Sequence, residues 1–286
     1  MWELADANKR RHGIQTAAAL IQNANFKGFF TGRIYTGQLK SVCVPGLNCY
    51  SCPGALGACP IGSLQSFLSR KSVRFPYYVV GLLIFFGALL GRAVCGFLCP
   101  MGWIQELLAM IPFPVKQDDF PGDRALRRLK YVILAVFVVI LPMHYVLIPF
   151  FCKYICPSGT LAGIALAAAD SAVAGKLGSL FAGKLGVLLG IVLLSLIVWR
   201  PFCKYLCPLG AFYSLFNRFS LYRLQVDEGK CVGCGKCAVA CRMRVDPAKN
   251  ANSGECIRCG ACVEACPTNA IEVTFAGKTL APRKGD

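Results

Sequence analysis

Acidic residues, histidine and charge in general are scarce in this chain. Its 286 residues include 14 Asp and Glu against 31 Lys and Arg, two histidines, and charged residues at only 16%. A water-soluble domain carries about 25% charged residues. With hydrophobic residues at 56% and a mean hydropathy of +0.54, a membrane protein is the better expectation. His12 and His144 alone make a bis-histidine transmembrane haem a poor fit. There is no Walker loop, dinucleotide-binding glycine fingerprint or paired nucleophile and base, so no nucleotide- or acyl-transfer chemistry is indicated. Behind Lys9, Arg10, Arg11 and His12 no clean apolar core or cleavage site follows. The expectation is an uncleaved, cytoplasmic N-terminus.

Cysteine, by contrast, is abundant, at 18 residues. A disulfide framework belongs to short secreted chains without long apolar runs. Here the thiols recur at x2 and x3 intervals, which suits metal. Between Cys231 and Pro267 the run C-x2-C-x2-C-x3-C occurs twice. Zinc competes for any lone C-x2-C. The triple run used twice is instead the spacing of a bacterial ferredoxin with two [4Fe–4S] clusters, in which the fourth cysteine of each run crosses to the neighbouring cluster. Cys231, Cys234, Cys237 and Cys266 then form one ligand set, and Cys256, Cys259, Cys262 and Cys241 the other. Val232, Ala238, Val239, Ile257, Val263 and Ile271 are the expected apolar jacket.

The formal net charge of +17 does not indicate nucleic acid. A [4Fe–4S]2+ cluster with four cysteinates carries about −2. Much of the remaining basic charge flanks apolar runs, where Lys and Arg set orientation and meet anionic lipid.

Apolar segments lie near 75–98, 131–150 and 185–200, each approaching the roughly 20 residues that cross a bilayer. A weaker one, 14–32, contains Gln15, Gln22, Asn23, Asn25 and Lys27. Each segment leads to a Cys-Pro-x-Gly: Cys59, Cys99, Cys156 and Cys207. The expected architecture is therefore an α-helical polytopic membrane domain, residues 1–220, made of about four spans in a tandem span-CPxG repeat. A small α+β ferredoxin-like domain, residues 221–286, follows it. Parallel repeats put Cys59 and Cys156 on one face and Cys99 and Cys207 on the other. Residues 161–184 read as re-entrant or interfacial. Arg124, Arg127, Arg128 and Lys130 favour a cytoplasmic tail, against Arg70, Lys71 and Arg74 on the other side; the need of thiolate ligands for a reducing compartment favours it more.

Three motifs extend to C-x3-C-P: Cys95/Cys99, Cys152/Cys156 and Cys203/Cys207. Residues four apart share a helix face, and proline ends or turns the segment. Cys95, Cys99, Cys203 and Cys207 would supply four thiolates to a third cluster. Buried cysteines packing as small hydrophobes would not repeat this spacing. Ala55 stands where a cysteine would precede Cys59, while Cys43, Cys49 and Cys52 add thiols nearby. These four loop cysteines face Cys152 and Cys156. One cluster with two thiols left over, a cluster plus a disulfide, and a [2Fe–2S] centre all remain open. Arg92 either snorkels or pairs with a negative cluster. His144 is an interfacial residue or a quinone contact.

The strings CVPGLNCYSCPGALGACPIG (43–62), CGFLCPMGWIQELL (95–108) and FCKYLCPLG (202–210), with the tail, resemble the NapH/MauN-type membrane ferredoxins, relatives of the membrane part of NosR-type proteins. The resemblance implies four spans, paired C-x3-C-P motifs at the cytoplasmic face and a cytoplasmic two-cluster domain. It also implies electron delivery to an extracytoplasmic reductase or flavoprotein, often from quinol. Cys152/Cys156 and the four-cysteine loop depart from that pattern, so no nitrate or nitrous-oxide partner is carried over. The expected function is membrane-bound electron transfer between a soluble ferredoxin or flavodoxin-like carrier and a quinone or extracytoplasmic protein. Two [4Fe–4S] clusters would lie in the tail and one or two further iron–sulfur clusters in the membrane domain. A NosR-like membrane redox sensor is the alternative.

Overall fold

The computed structural model describes residues 3–70, 76–114, 116–117 and 122–280, with side chains from residue 9 onward. Lys71, Arg74, Phe75 and residues 281–286 lie outside the described residues. The four Cys-Pro-x-Gly motifs open four helices: Pro60–Ser69, Pro100–Met110, Pro157–Ala169 and Pro208–Phe216. In each the cysteine is the extended residue just before the helix and the proline lies in its first turn. Proline suits that place because its missing N–H would have no partner there and its ring presets φ. The prolines thus begin helices as well as ending segments.

The breaks shorten the expected spans. Tyr77–Leu90 stops at Gly91, and Cys95 sits on a separate short helix, Ala93–Phe97. Segment 14–32 divides into Glu3–Gln22, which carries Lys9, Arg10 and Arg11, and Phe26–Thr31. Asp123–Ile133 continues through wider π turns, Leu134–Ile140, to His144. Among the described residues one helix, Ser179–Ile197, is long and apolar enough to cross a bilayer, while Tyr77–Leu90 and Pro157–Ala169 are apolar but shorter. Of the four expected spans, one is present as a single long apolar helix among the described residues. The other stretches are interrupted from within, at residues 23–25, at Gly91 and at Tyr145.

The tail forms a three-stranded antiparallel sheet, Tyr222–Val226, Ile271–Phe275 and Lys278–Thr279, with Leu224 opposite Val273. Two short helices, Lys236–Ala240 and Ala261–Ala265, follow Gly235 and Gly260. Both glycines have φ above +70°, which an L side chain resists. Of the expected jacket, Ile257 and Ile271 are buried, whereas Val232 and Val239 are exposed.

The tail packs into the helical part. Buried Asn217 donates to the carbonyls of Ser253 (2.8 Å) and Cys256 (2.7 Å) and accepts from the Arg92 amide (2.8 Å). Buried Arg258 reaches Leu90 O (3.1 Å), Ser220 Oγ (2.6 Å) and Tyr222 O. Arg127 donates to Met243 O at 2.9 Å. The contact is closest at Gly96, where a methyl group would sit 2.5 Å from the Ile257 carbonyl oxygen. Gly96→Ala is therefore expected to cost about 1–3 kcal/mol through overpacking. It should raise hydrogen exchange across residues 253–262; unchanged protection there would contradict so tight an approach.

Candidate metal centres

All eighteen cysteines are free thiols, and sixteen of them gather in four sets. In the tail, Cys231, Cys234, Cys237 and Cys266 line a cavity of about 240 Å3. Cys241, Cys256, Cys259 and Cys262 line a second, much smaller one. Both sets mix the two sequence runs in the crossed manner. Among the helices, Cys95, Cys99, Cys203 and Cys207 are buried together, within electrostatic reach of one another. Cys49, Cys59, Cys152 and Cys156 line a cavity of about 700 Å3. Cys43 and Cys52 stand apart. The Cys43 thiol lies 3.5 Å from Ser63 Oγ, and the Cys52 thiol 3.8 Å from Asn23 Oδ1.

Among the described residues no three His, Cys, Asp or Glu converge on a point that would hold a single ion. A lone zinc draws its thiolates to about 2.3 Å from one centre. A four-iron cluster instead takes one thiolate at each iron and fills the space between them. Sets of four sulfur donors, three of the sets lining cavities, fit the larger group.

The surroundings favour thiolate. Gln105 Nε2 lies 3.2 Å from Cys203 Sγ and Gly210 N 3.3 Å from Cys207 Sγ. In the tail, Arg258 N donates to Cys256 Sγ (3.4 Å), Val245 N to Cys241 Sγ (3.4 Å) and Ala270 N to Cys266 Sγ (3.3 Å). Hydrogen bonds of this kind stabilise negative sulfur and tune a cluster's potential. Burial nevertheless pushes the Cys256 thiol up to about 12, so a metal must drive its deprotonation.

Two buried arginines frame the Cys95/Cys99/Cys203/Cys207 set with near two-fold symmetry. Each stands three residues before the first cysteine of its own motif and reaches the opposite one. Arg92 Nη2 donates to Cys203 O at 3.1 Å, and Arg200 Nη1 to Cys95 O at 2.7 Å. The glycines of the motifs leave the passage. A methyl at Gly102 would meet Arg200 Nη1 at 3.1 Å, and one at Gly210 would meet Arg92 Nη2 at 3.5 Å. Arg92 also pairs with Glu255 (2.9 Å), and Arg200 with Glu106 (2.8 Å), which in turn takes Arg11 (2.6 Å). Arg92 therefore does not snorkel; it is fully buried beside the thiols. Glu255 receives Lys130 as well. Burial pushes the Glu255 carboxyl up, but Arg92 and Lys130 outweigh it and hold it below the ordinary carboxylate value.

The sets are adjacent. Ile257, between Cys256 and Cys259, presses on Gly96, between Cys95 and Cys99. Buried Lys204 lies within electrostatic reach of Cys241. On the far side, a methyl at Gly46 in the 43–62 loop would meet Cys99 Cα at 3.1 Å. Buried Tyr213 has Cys95, Cys99, Cys59 and Cys207 all within electrostatic reach and donates to Pro45 O at 3.0 Å. The Cys59/Cys156 and Cys99/Cys207 groups, expected on opposite membrane faces, are thus linked at short range through Tyr213 and the 43–62 loop.

His144 is exposed and lines none of these cavities. His12 lines a cavity of about 460 Å3 together with Glu106, Trp199, Arg242 and Cys259. Gln65, Gln105, Glu255 and Tyr213 carried no motif of their own. The two glutamines had a legible signal, since each follows its Cys-Pro cysteine by the same interval, Cys59 to Gln65 and Cys99 to Gln105.

Two family models, each described as a 4Fe-4S binding domain, match the chain. One covers residues 224–245 and 251–272, and the other 57–77, 75–116, 129–169 and 180–224. An uncharacterized protein of Methanocaldococcus jannaschii is 30% identical over 193 residues, covering 65% of this chain and 74% of its own. The methylamine utilization ferredoxin-type protein MauN of Methylorubrum extorquens is 29% identical over 245 residues, 79% of this chain and 72% of MauN. YccM of Escherichia coli, named for electron transport, is 30% identical over 165 residues, 55% of this chain but only 43% of YccM. No solved structure matches. Thiolate sets in fours, the paired C-x3-C-P motifs and these relatives converge: this chain belongs to the NapH/MauN-type ferredoxin family of iron–sulfur electron-transfer proteins.

Proposed function

We propose that the chain is a polytopic protein of the cytoplasmic membrane. In this reading it carries electrons between a cytoplasmic ferredoxin or flavodoxin-like carrier and a quinone or an extracytoplasmic flavoprotein or reductase. The observation that carries this reading is the unbroken order of thiolate sets. It begins at Cys231/Cys234/Cys237/Cys266, where Cys234 is exposed. It continues through Cys241/Cys256/Cys259/Cys262 to Cys95/Cys99/Cys203/Cys207, with Ile257 against Gly96 as the junction. Bound [4Fe–4S] clusters supply one-electron redox centres at these sets.

The protein's own residues do the rest. The cysteines fix the spacing, and the buried helix ends exclude water. Arg92 and Arg200 place positive charge beside the inner set, which favours the more reduced, more negative state. At the outer set, exposed Lys249 lines the cavity with Cys234 and Val232, 3.7 Å from Asp246, and exposed Lys236 follows Cys234 by two residues. Lys236 is the cation there that would meet an acidic carrier, whose encounter would weaken with salt.

Membrane placement rests on inverted polarity. Arg92, Lys130, Arg200, Lys204 and Glu106 are buried, while Phe85, Ile140, Leu189 and Leu193 are exposed. Only 17% of the apolar window in Ser179–Ile197 is buried, whereas the core helix of a water-soluble protein hides its apolar surface. Intramembrane ions normally face the interior and pair there.

Iron and sulfide analysis with EPR on anaerobically purified full-length protein tests the reading. Three sets require at least about twelve irons per chain, and reduced protein should reoxidise rapidly on mixing with a flavin or quinone. About eight irons, or clusters that titrate without turnover, would remove the wire. In inside-out vesicles, protease should reach the tail; protection there would reverse the orientation.

A further inference from the structure

We propose that Cys49, Cys59, Cys152 and Cys156 hold an additional [4Fe–4S] cluster, to which Cys43 and Cys52 do not contribute. The inference rests on the electron-transfer reading above and extends the wire by one centre. Its first support is a repeated clamp. At the inner set, Gln105 Nε2 lies 3.2 Å from Cys203 Sγ while its Oε1 accepts from Phe202 N at 3.0 Å. At the second set, Gln65 Nε2 lies 3.4 Å from Cys152 Sγ while its Oε1 accepts from Phe151 N at 3.0 Å. Each glutamine thus fixes the first cysteine of the motif facing it, and its second cap holds the backbone just before that cysteine. A packing accident has no reason to duplicate both bonds.

The second support is the cation. Lys184 Nζ lies 3.3 Å from Cys152 O, as the arginines reach the carbonyls of Cys203 and Cys95. A methyl at Gly159, the glycine of that motif, would meet Lys184 Nζ at 3.4 Å and Cys49 Sγ at 3.9 Å. The third is the donor count. The first motif has Ala55 where its partner cysteine would stand, which leaves Cys59, Cys152 and Cys156 one thiol short. Cys49 fills the place: it lines the same cavity and lies within electrostatic reach of Cys59, Cys152 and Cys156. A methyl at Gly62 would touch Cys152 Sγ (3.7 Å) and Cys59 Cβ (3.8 Å), so the motifs meet face to face. Cys43 and Cys52 do not line this cavity; their thiols lie 3.5 Å from Ser63 Oγ and 3.8 Å from Asn23 Oδ1.

Exposed Tyr50 and Phe67 line the cavity, so this centre is the end of the wire nearest a second partner. The full-length protein should hold about sixteen irons and a matching amount of sulfide. Cys49→Ala or Cys156→Ala is expected to remove one EPR signal and bring iron toward about twelve; Cys43→Ala and Cys52→Ala should leave both unchanged. Cys203→Ala is the separate arm. If it removes a different signal while Cys49→Ala and Cys156→Ala change nothing, the additional cluster is overturned and the electron-transfer reading stands. If Cys203→Ala also changes nothing, that reading itself fails. Loss of iron in Cys43→Ala or Cys52→Ala equal to that in Cys49→Ala overturns the assignment. Gln65→Leu and Gln105→Leu keep every cysteine and guard against misfolding. They should shift the EPR of two different clusters, and a shift of the same signal by both would sink the proposal.

Discussion

Glu255→Gln is expected to destabilise the protein by about 3–5 kcal/mol, the cost of removing one partner from a buried ion pair. The carboxylate faces two cations that have no access to water: Arg92 at 2.9 Å and Lys130 at 2.5 Å, each with a side chain 0% exposed. Glutamine keeps the shape and one acceptor but leaves both charges uncompensated. Arg92 also holds Gly254 O at 2.8 Å, so the loss falls on the seam between tail and helices. Denaturant unfolding of the purified protein measures the change. Lys130→Met added to Glu255→Gln should restore part of it, because one stranded charge is then gone. A loss below about 0.5 kcal/mol, the scale of an exposed substitution, would mean that the seam is wet and the triad ordinary surface.

Arg200→Met is expected to lower the reduction potential of one cluster by on the order of 100 mV. A unit charge about 6 Å away at an effective dielectric of about 20 is worth about 3 kcal/mol, and for a one-electron couple about 1.4 kcal/mol corresponds to about 59 mV. Arg200 is fully buried and donates to Cys95 O at 2.7 Å, so solvent screens it little. Stability should suffer less than in Glu255→Gln, since Glu106 keeps Arg11 at 2.6 Å. Potentiometric EPR should show one signal moved and the two tail clusters in place. A potential unchanged within about 20 mV would show that the guanidinium is only a structural strut.

The chemistry was legible because ligand spacing is local. A C-x2-C-x2-C run wraps one loop around a cluster whatever the rest of the chain does, and Cys-Pro-x-Gly opens a helix by the geometry of proline alone. The pairing of Cys95/Cys99 with Cys203/Cys207 also followed from the repeat. Helix continuity did not. Apolar content near 75–98 reads as one span, yet Gly91 divides it into two helices, because hydropathy averages over a break that a single residue makes. Arg92 was ambiguous for a similar reason: its partner, Glu255, lies 163 residues away.

Sequence by itself determined the metal chemistry, the number of thiol motifs and the family, since these depend on residue type at short range. Only the tertiary structure decided that Cys49 lines one cavity with Cys59, Cys152 and Cys156, that the two inner sets lie near one another, and that Glu255 and Arg92 hold the tail against the helices. Those facts depend on which helix ends meet in the interior, where a buried charge must find its partner or the fold does not close.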